Sequence, residues 1–154
     1  MTTMTERKIK ESEIGNPEEF FKTLVKQVSR GADIQSAQVF GEVRSLSHAS
    51  ADLMRAYQQA PIRPEVLLYD YTIDTDWMPF YSLELQKKAD LIASFFMPEC
   101  QCVYSITCPG EHAHLHFLVS LLPALHIYPL NYSPTDSFRM WVMAVLREPV
   151  TLLT

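Results

Sequence analysis

Apolar and polar positions along this chain follow two periods, and the changes between them predict its elements. Phe20, Phe21, Leu24, Val25 and Val28 recur at helical spacing behind Asn16-Pro17-Glu18-Glu19, which supplies an N-cap, a first-turn proline and an acid at the capping-box position; Gly31 ends that helix. Residues 36–43 read as a short strand bent at Gly41. Leu53, Met54 and Tyr57 place a second helix over residues 47–60, closed off by Pro61. Residues 65–73, Glu-Val-Leu-Leu-Tyr-Asp-Tyr-Thr-Ile, are nearly continuous in apolar and aromatic side chains, the pattern of a central strand. A loop over 74–79 follows, then a third helix over 82–97 with Leu85, Ala89, Ile92 and Phe96 on its inner stripe and Pro98 as its stop. Gln101–Thr107 and residues 112–122 read as strands joined by the turn Cys108-Pro109-Gly110, and 124–130 as a further short strand bounded by Pro129. Ser133-Pro134-Thr135-Asp136 caps a last helix to about Arg147, with Phe138, Trp141, Val142 and Val145 inward, and Val150–Leu153 adds an edge strand. Residues 1–15 are polar and charged and are expected to form a disordered tail, which leaves 16–154 as one domain. Strands joined by tight turns must be antiparallel. The expected class is therefore α+β, a mostly antiparallel sheet of about five strands with helices packed mainly on one face.

The most informative word is Glu111-His112-Ala113-His114-Leu115-His116-Phe117-Leu118-Val119. On a strand its three imidazoles share one face, while Ala113, Leu115 and Phe117 turn to the other. Imidazole is the commonest side-chain ligand for transition metals, so His112, His114 and His116 are the candidate metal ligands, for manganese, magnesium or zinc. The outer two lie about 13 Å apart on a straight strand, and a metal–nitrogen bond is about 2.0–2.1 Å. One ion can take two neighbours of the row, and a third ligand has to come from another element. His126 is one candidate, if its strand pairs with the histidine strand. Asp70 is another; on a central strand its carboxylate must be either exposed or paired. The competing reading is a half-exposed strand whose histidines meet solvent.

Charge and composition narrow the classes. The chain has 154 residues, 47% hydrophobic and 20% charged, as in one ordinary globular domain. Its net charge is −5, and six of its 13 basic residues fall in the first thirty positions. That argues against a general nucleic-acid binder, because phosphate contacts come from Lys and Arg. Cys100, Cys102 and Cys108 are an odd set without paired C-x-x-C spacing, expected to be thiols in a reducing cytoplasmic interior rather than half of a zinc cluster. No stretch approaches the roughly 20 apolar residues of a membrane span. Met54, Met97, Met140 and Met143 fall at helical positions or helix ends and read as core filling; His48 and the acidic loop Asp74–Asp76 read as surface. Trp141, if it faces outward, marks a homodimer or protein-partner surface.

Around the histidines the chain resembles the nuclease domain of conjugative and mobilisation relaxases, in the His-hydrophobe-His (HUH) endonuclease superfamily. Their signature His-x-Asp-x-x-His-x-His-x-His, followed by apolar residues and Asn, runs here from Thr107 through Pro109, His112, His114 and His116 to Ser120. Phe40-Gly41 and the helix after it, the helix before Gln101-Cys102-Val103-Tyr104, and Tyr128-Pro129-Leu130 with the last helix extend the likeness over roughly residues 33–147. The resemblance implies binding of a single DNA strand at a transfer origin of a plasmid or similar element. It also implies nicking by a tyrosine, with a divalent ion held by three histidines as Lewis acid. Two of those ligands fall at His114 and His116; the third falls at Thr107, a poor ligand. The family's nucleophile lies near the N-terminus, where this chain has no tyrosine before Tyr57, and Tyr57, Tyr69 and Tyr71 read as packing residues. A basic groove for the strand is missing from an acidic chain. Catalytic residues are therefore assigned to none, and the expected function is a degenerate relaxase-like domain acting as a binding or regulatory protein in mobile-element transfer. The alternatives are an active metal-dependent nicking relaxase and a metal-free interaction module.

Overall fold

The computed structural model describes residues 1–29, 37–76, 82–96, 99–108 and 112–153. The expected helix stops Gly31 and Pro98, the loop positions 77–79, the turn residues Pro109 and Gly110, and Ser36 all lie outside them. Six strands, β1 (Thr2–Lys10), β2 (Gln38–Gly41), β3 (Val66–Thr75), β4 (Gln101–Thr107), β5 (Ala113–Ser120) and β6 (Val150–Leu153), form one sheet in the order β2-β4-β5-β3-β1-β6. Every pairing is antiparallel except β1 with β6. Among the described residues, four α-helices complete the α+β fold: α1 (Pro17–Ser29), α2 (Ala49–Gln59), α3 (Ser82–Ala93) and α4 (Thr135–Leu146). None of the described helices is long and apolar enough to cross a membrane.

The local signals act where the sequence places them. Asn16 Oδ1 accepts from the backbone N–H of Glu19 at 3.1 Å and starts α1. Gly41 adopts φ 73°, a left-handed conformation that suits glycine, and turns the chain out of β2 so that the Glu42 N–H meets the Cys100 carbonyl at 2.9 Å. β3 is central, as its apolar run predicts, lying between β5 and β1.

Helices cover both faces of the sheet rather than mainly one. Tyr69, Tyr71, Ile73, Tyr104 and Phe117 pack beneath α3 and α4, with Ile92, Phe96, Phe138 and Val142. Their sequence neighbours Leu68, Val103 and Leu118 point the opposite way, beneath Phe21, Leu24, Val28 and Leu53 of α1 and α2. Period-2 alternation on the strands requires this division. Helical periodicity alone does not show which face of a sheet a helix will choose.

Two further expectations are corrected. Residues 1–15 are not a disordered tail: Thr2–Lys10 is β1, inserted between β3 and β6. Its Met4 and Ile9 are fully buried on opposite faces, and the hydroxyls of Thr2 and Thr75 meet at 2.8 Å. Residues 124–130 are not a strand. Ile127 and Tyr128 both donate to the Ala124 carbonyl, closing local turns, and the segment has no place in the sheet.

Candidate functional site

β5 holds His114 and His116 on the α1/α2 side of the sheet, while Ala113, Leu115 and Phe117 are fully buried on the other side. The alternation read from the sequence therefore holds for these two residues. The α1/α2 pair covers only one end of its face. Beyond Leu68 and Leu118 the face carries Asp70, Thr72 and Asp74 of β3, His114 and His116 of β5, Ser105 and Thr107 of β4, and Thr3, Thr5 and Arg7 of β1. Ser105 anchors the edge of the cover, donating to the Val28 carbonyl at the end of α1.

On this open face the histidines are paired with carboxylates. Asp74 sits directly across from His114, and its Oδ1 meets Nδ1 of that ring. Asp70 lies diagonally from His116, and its Oδ1 meets Nε2. Asp70 is thus both on the histidine face and partnered, which answers the cost of a carboxylate on a central strand. The His116 pair is the more enclosed, with side chains 24% and 13% exposed against 40% and 42% for His114 and Asp74. Each ring keeps one nitrogen outside its carboxylate contact.

The third histidine does not join them. His112 precedes β5, is exposed, and lies close enough to Asp76 to help hold that carboxyl below its usual range, after the larger effect of the Met1 ammonium. His126 is corrected as well: it lies in the turns after β5, exposed, at the lining of a separate cavity. Among the described residues no group of three or more His, Cys, Asp or Glu side chains comes together as a metal centre. Two imidazoles, each already facing a carboxylate, do not by themselves make a three-ligand site.

The tyrosines serve packing. Tyr71 is fully buried, its hydroxyl 2.9 Å from Thr135 Oγ1, and burial pushes its pKa far up. Tyr69 donates to the Tyr132 carbonyl at 3.2 Å. Tyr57 donates to Glu11 at 3.2 Å under the Arg63 guanidinium. None offers a hydroxyl to the histidine face. The thiols are free; burial raises Cys100 to about 12 and also raises Cys102 and Cys108, which disfavours the thiolate a metal needs. Trp141 is half-buried, donates to the Leu91 carbonyl at 2.9 Å and packs on Phe95, which leaves Met140 as the exposed large apolar side chain of α4.

Arg7, on this face, pairs with Glu13 at 3.2 Å, and Lys8, which the alternation of β1 turns to the opposite face, pairs with Glu6 at 3.7 Å. A groove built to follow a phosphate backbone needs cations turned outward, and these face carboxylates.

Sequence reading missed one polar group entirely. Asp52, on α2, is buried and accepts from Arg44 at 2.6 Å and Arg55 at 3.3 Å. Burial raises its pKa, but the hydrogen bonds from the Arg44 side chain and backbone, with the charges of both arginines, outweigh that and hold it below the ordinary value. An Asp in the first turn of a helix following an Arg eight residues earlier is too common a pattern to single out. No protein-family model, curated protein or solved structure matches the chain.

Proposed function

We propose that this chain is a relaxase-like domain that no longer nicks DNA and acts as a binding or regulatory protein in mobile-element transfer. One observation carries the reading: the register pairs Thr107 of β4 directly with His114 of β5. Thr107 is the position at which the relaxase resemblance expects the third metal-binding histidine. Directly opposed residues on one face hold their Cβ atoms about 4.5–5.5 Å apart. A ligand at 107 would therefore stand beside His114 and His116, so the frame fits a three-histidine centre and lacks one of its members. The ion-paired Arg7 and the packed tyrosines support loss of cutting rather than its relocation. Asp70, hydrogen-bonded to His116, is a partner of the kind that orients metal-binding imidazoles, and Asp74 lies against His114.

The test is to put the histidine back. Thr107→His is expected to bind manganese or zinc at least tenfold more tightly than the wild type in calorimetric titration, because a third nitrogen converges on the first two. Neither protein is expected to form a covalent adduct with single-stranded oligonucleotides. If Thr107→His gains no affinity, the relaxase likeness fails and a metal-free interaction module remains. If the wild type yields a tyrosyl–DNA adduct, loss of nicking is refuted.

A further inference from the structure

We propose that the cavity between α2 and the 122–130 turns binds a small, mostly apolar organic anion. The cavity has a volume of about 900 Å³, the size of pockets that enclose drug-sized ligands. Gln101 in its lining stands six residues along β4 from Thr107, roughly 20 Å at the usual rise per residue. The inference therefore stands whether or not the histidine face meets DNA.

Gln101 forms a fixed polar edge of the cavity. Its side chain is buried at 3% exposure, and its Nε2 donates to the Asp52 carbonyl at 2.9 Å and the Glu42 carbonyl at 3.2 Å. Two carbonyl acceptors fix which end of the amide is nitrogen, so the remaining atom, Oε1, is an acceptor. It has no partner and is itself shielded from the cavity, so the occupant does not reach it.

Arg44 and Arg55 specify the charge. Asp52 takes Nε and Nη2 of Arg44 and Nη1 of Arg55, which leaves further N–H groups on both guanidinium ions and one net positive charge among the three residues. Both arginines are about half exposed in the same lining as Gln101. Glu42, the other carboxylate in that lining, is exposed and brings the formal charge of the lining to zero, so the anion is held by the remaining N–H groups of Arg44 and Arg55 rather than by net charge. Leu122, Leu125 and Ala60 form the apolar wall, and the exposed side chains of Ile62 and Leu130 flank it. An apolar occupant would bury both.

The probe is 8-anilinonaphthalene-1-sulfonate, which joins a sulfonate to two aromatic bodies. N-phenyl-1-naphthylamine, the same molecule without the sulfonate, is its neutral control. The expected result is one fluorescent site per chain, with the Gln101 side-chain amide signals shifting in nitrogen–proton NMR spectra during the titration. Arg55→Gln is expected to weaken the sulfonate about tenfold and the neutral amine by less than twofold, while Ala60→Phe, which fills the cavity, removes both. Arg55 is a surface residue, and a retained cooperative melt verifies that its variant folds. Several weak sites, unmoved Gln101 amide signals, or equal loss of both dyes in Arg55→Gln would each overturn the proposal.

Discussion

The two ends of the sheet face beneath α1 and α2 differ in kind. At the covered end, Ile9, Leu68, Val103 and Leu118 are fully buried. At the open end, the same strands carry Arg7, Asp70, Thr72, Asp74, His114 and His116. Burial along β5 alternates over its first four residues and then becomes continuous; along β3, which runs the other way, the continuous stretch comes first. The change in period therefore marks where the helical cover stops. A strand buried on both sides reads as an apolar run, and one buried on a single side reads as alternation. The opposite face shows no such border, because α3, α4 and their neighbours cover it beneath β3, β4 and β5 from Tyr69 and Val119 to Ile73 and Ala113.

The comparison can be broken by substitutions on β5 itself. Phe117→Ala, on the fully covered face, is expected to cost about 4 kcal/mol, and Leu118→Ala, under α1 and α2, about 3 kcal/mol in urea denaturation. His116→Ala, two residues along the same face, is expected to cost about 1 kcal/mol or less. Equal losses at 116 and 118 would show that the border does not exist.

Asp52 tests the polar group set into the covered end. Asp52→Asn keeps the shape but removes the charge that two arginines share, and should lower stability at neutral pH by about 2 kcal/mol. The folded pKa lies below the ordinary aspartate value of 3.8. The stabilisation from ionised Asp52 is therefore fully present above about pH 4 and declines as the pH falls toward and through the depressed folded value. Wild type and Asp52→Asn should accordingly converge in melting temperature in that acid range; a gap that stays constant would rule out linkage through this carboxyl.

Smaller effects belong to the open end. A double-mutant cycle with His116→Ala and Asp70→Ala is expected to give a coupling of about 0.5 kcal/mol, since the pair lies on a partly exposed surface. Thr72→Val, between the two aspartates on that face, should change stability by no more than about 0.5 kcal/mol. A loss of several kcal/mol at Thr72 would mean that something covers this end.

Much of this layout could be read without coordinates. Gln101–Thr107 has the bounds that its pattern predicts, α1 starts at its Asn16 cap, and His114 and His116 share a face because a strand's period allows nothing else. β1 was illegible for a physical reason. Thr-Thr-Met-Thr-Glu-Arg-Lys-Ile-Lys has few apolar residues because much of it borders the open end or meets polar partners, such as Glu6 accepting from Thr135. What makes it a strand is pairing with β3 and with β6, whose residues lie far along the chain. The 124–130 segment misled in the opposite direction: Leu125 and Ile127 look like a strand, but Leu125 lines the cavity and Ile127 is exposed.

By itself, the sequence determined the elements with a strong period, the acidic balance, and the alternation that aligns His114 with His116, because these depend on local geometry and composition. Tertiary structure alone decided that Asp70 and Asp74 meet those rings, that Thr107 faces His114, and that Gln101 keeps an unpaired oxygen beside two arginines. Each is a matter of register or of packing between distant segments, set by the whole sheet closing on its helices, and no spacing along one strand or helix encodes it.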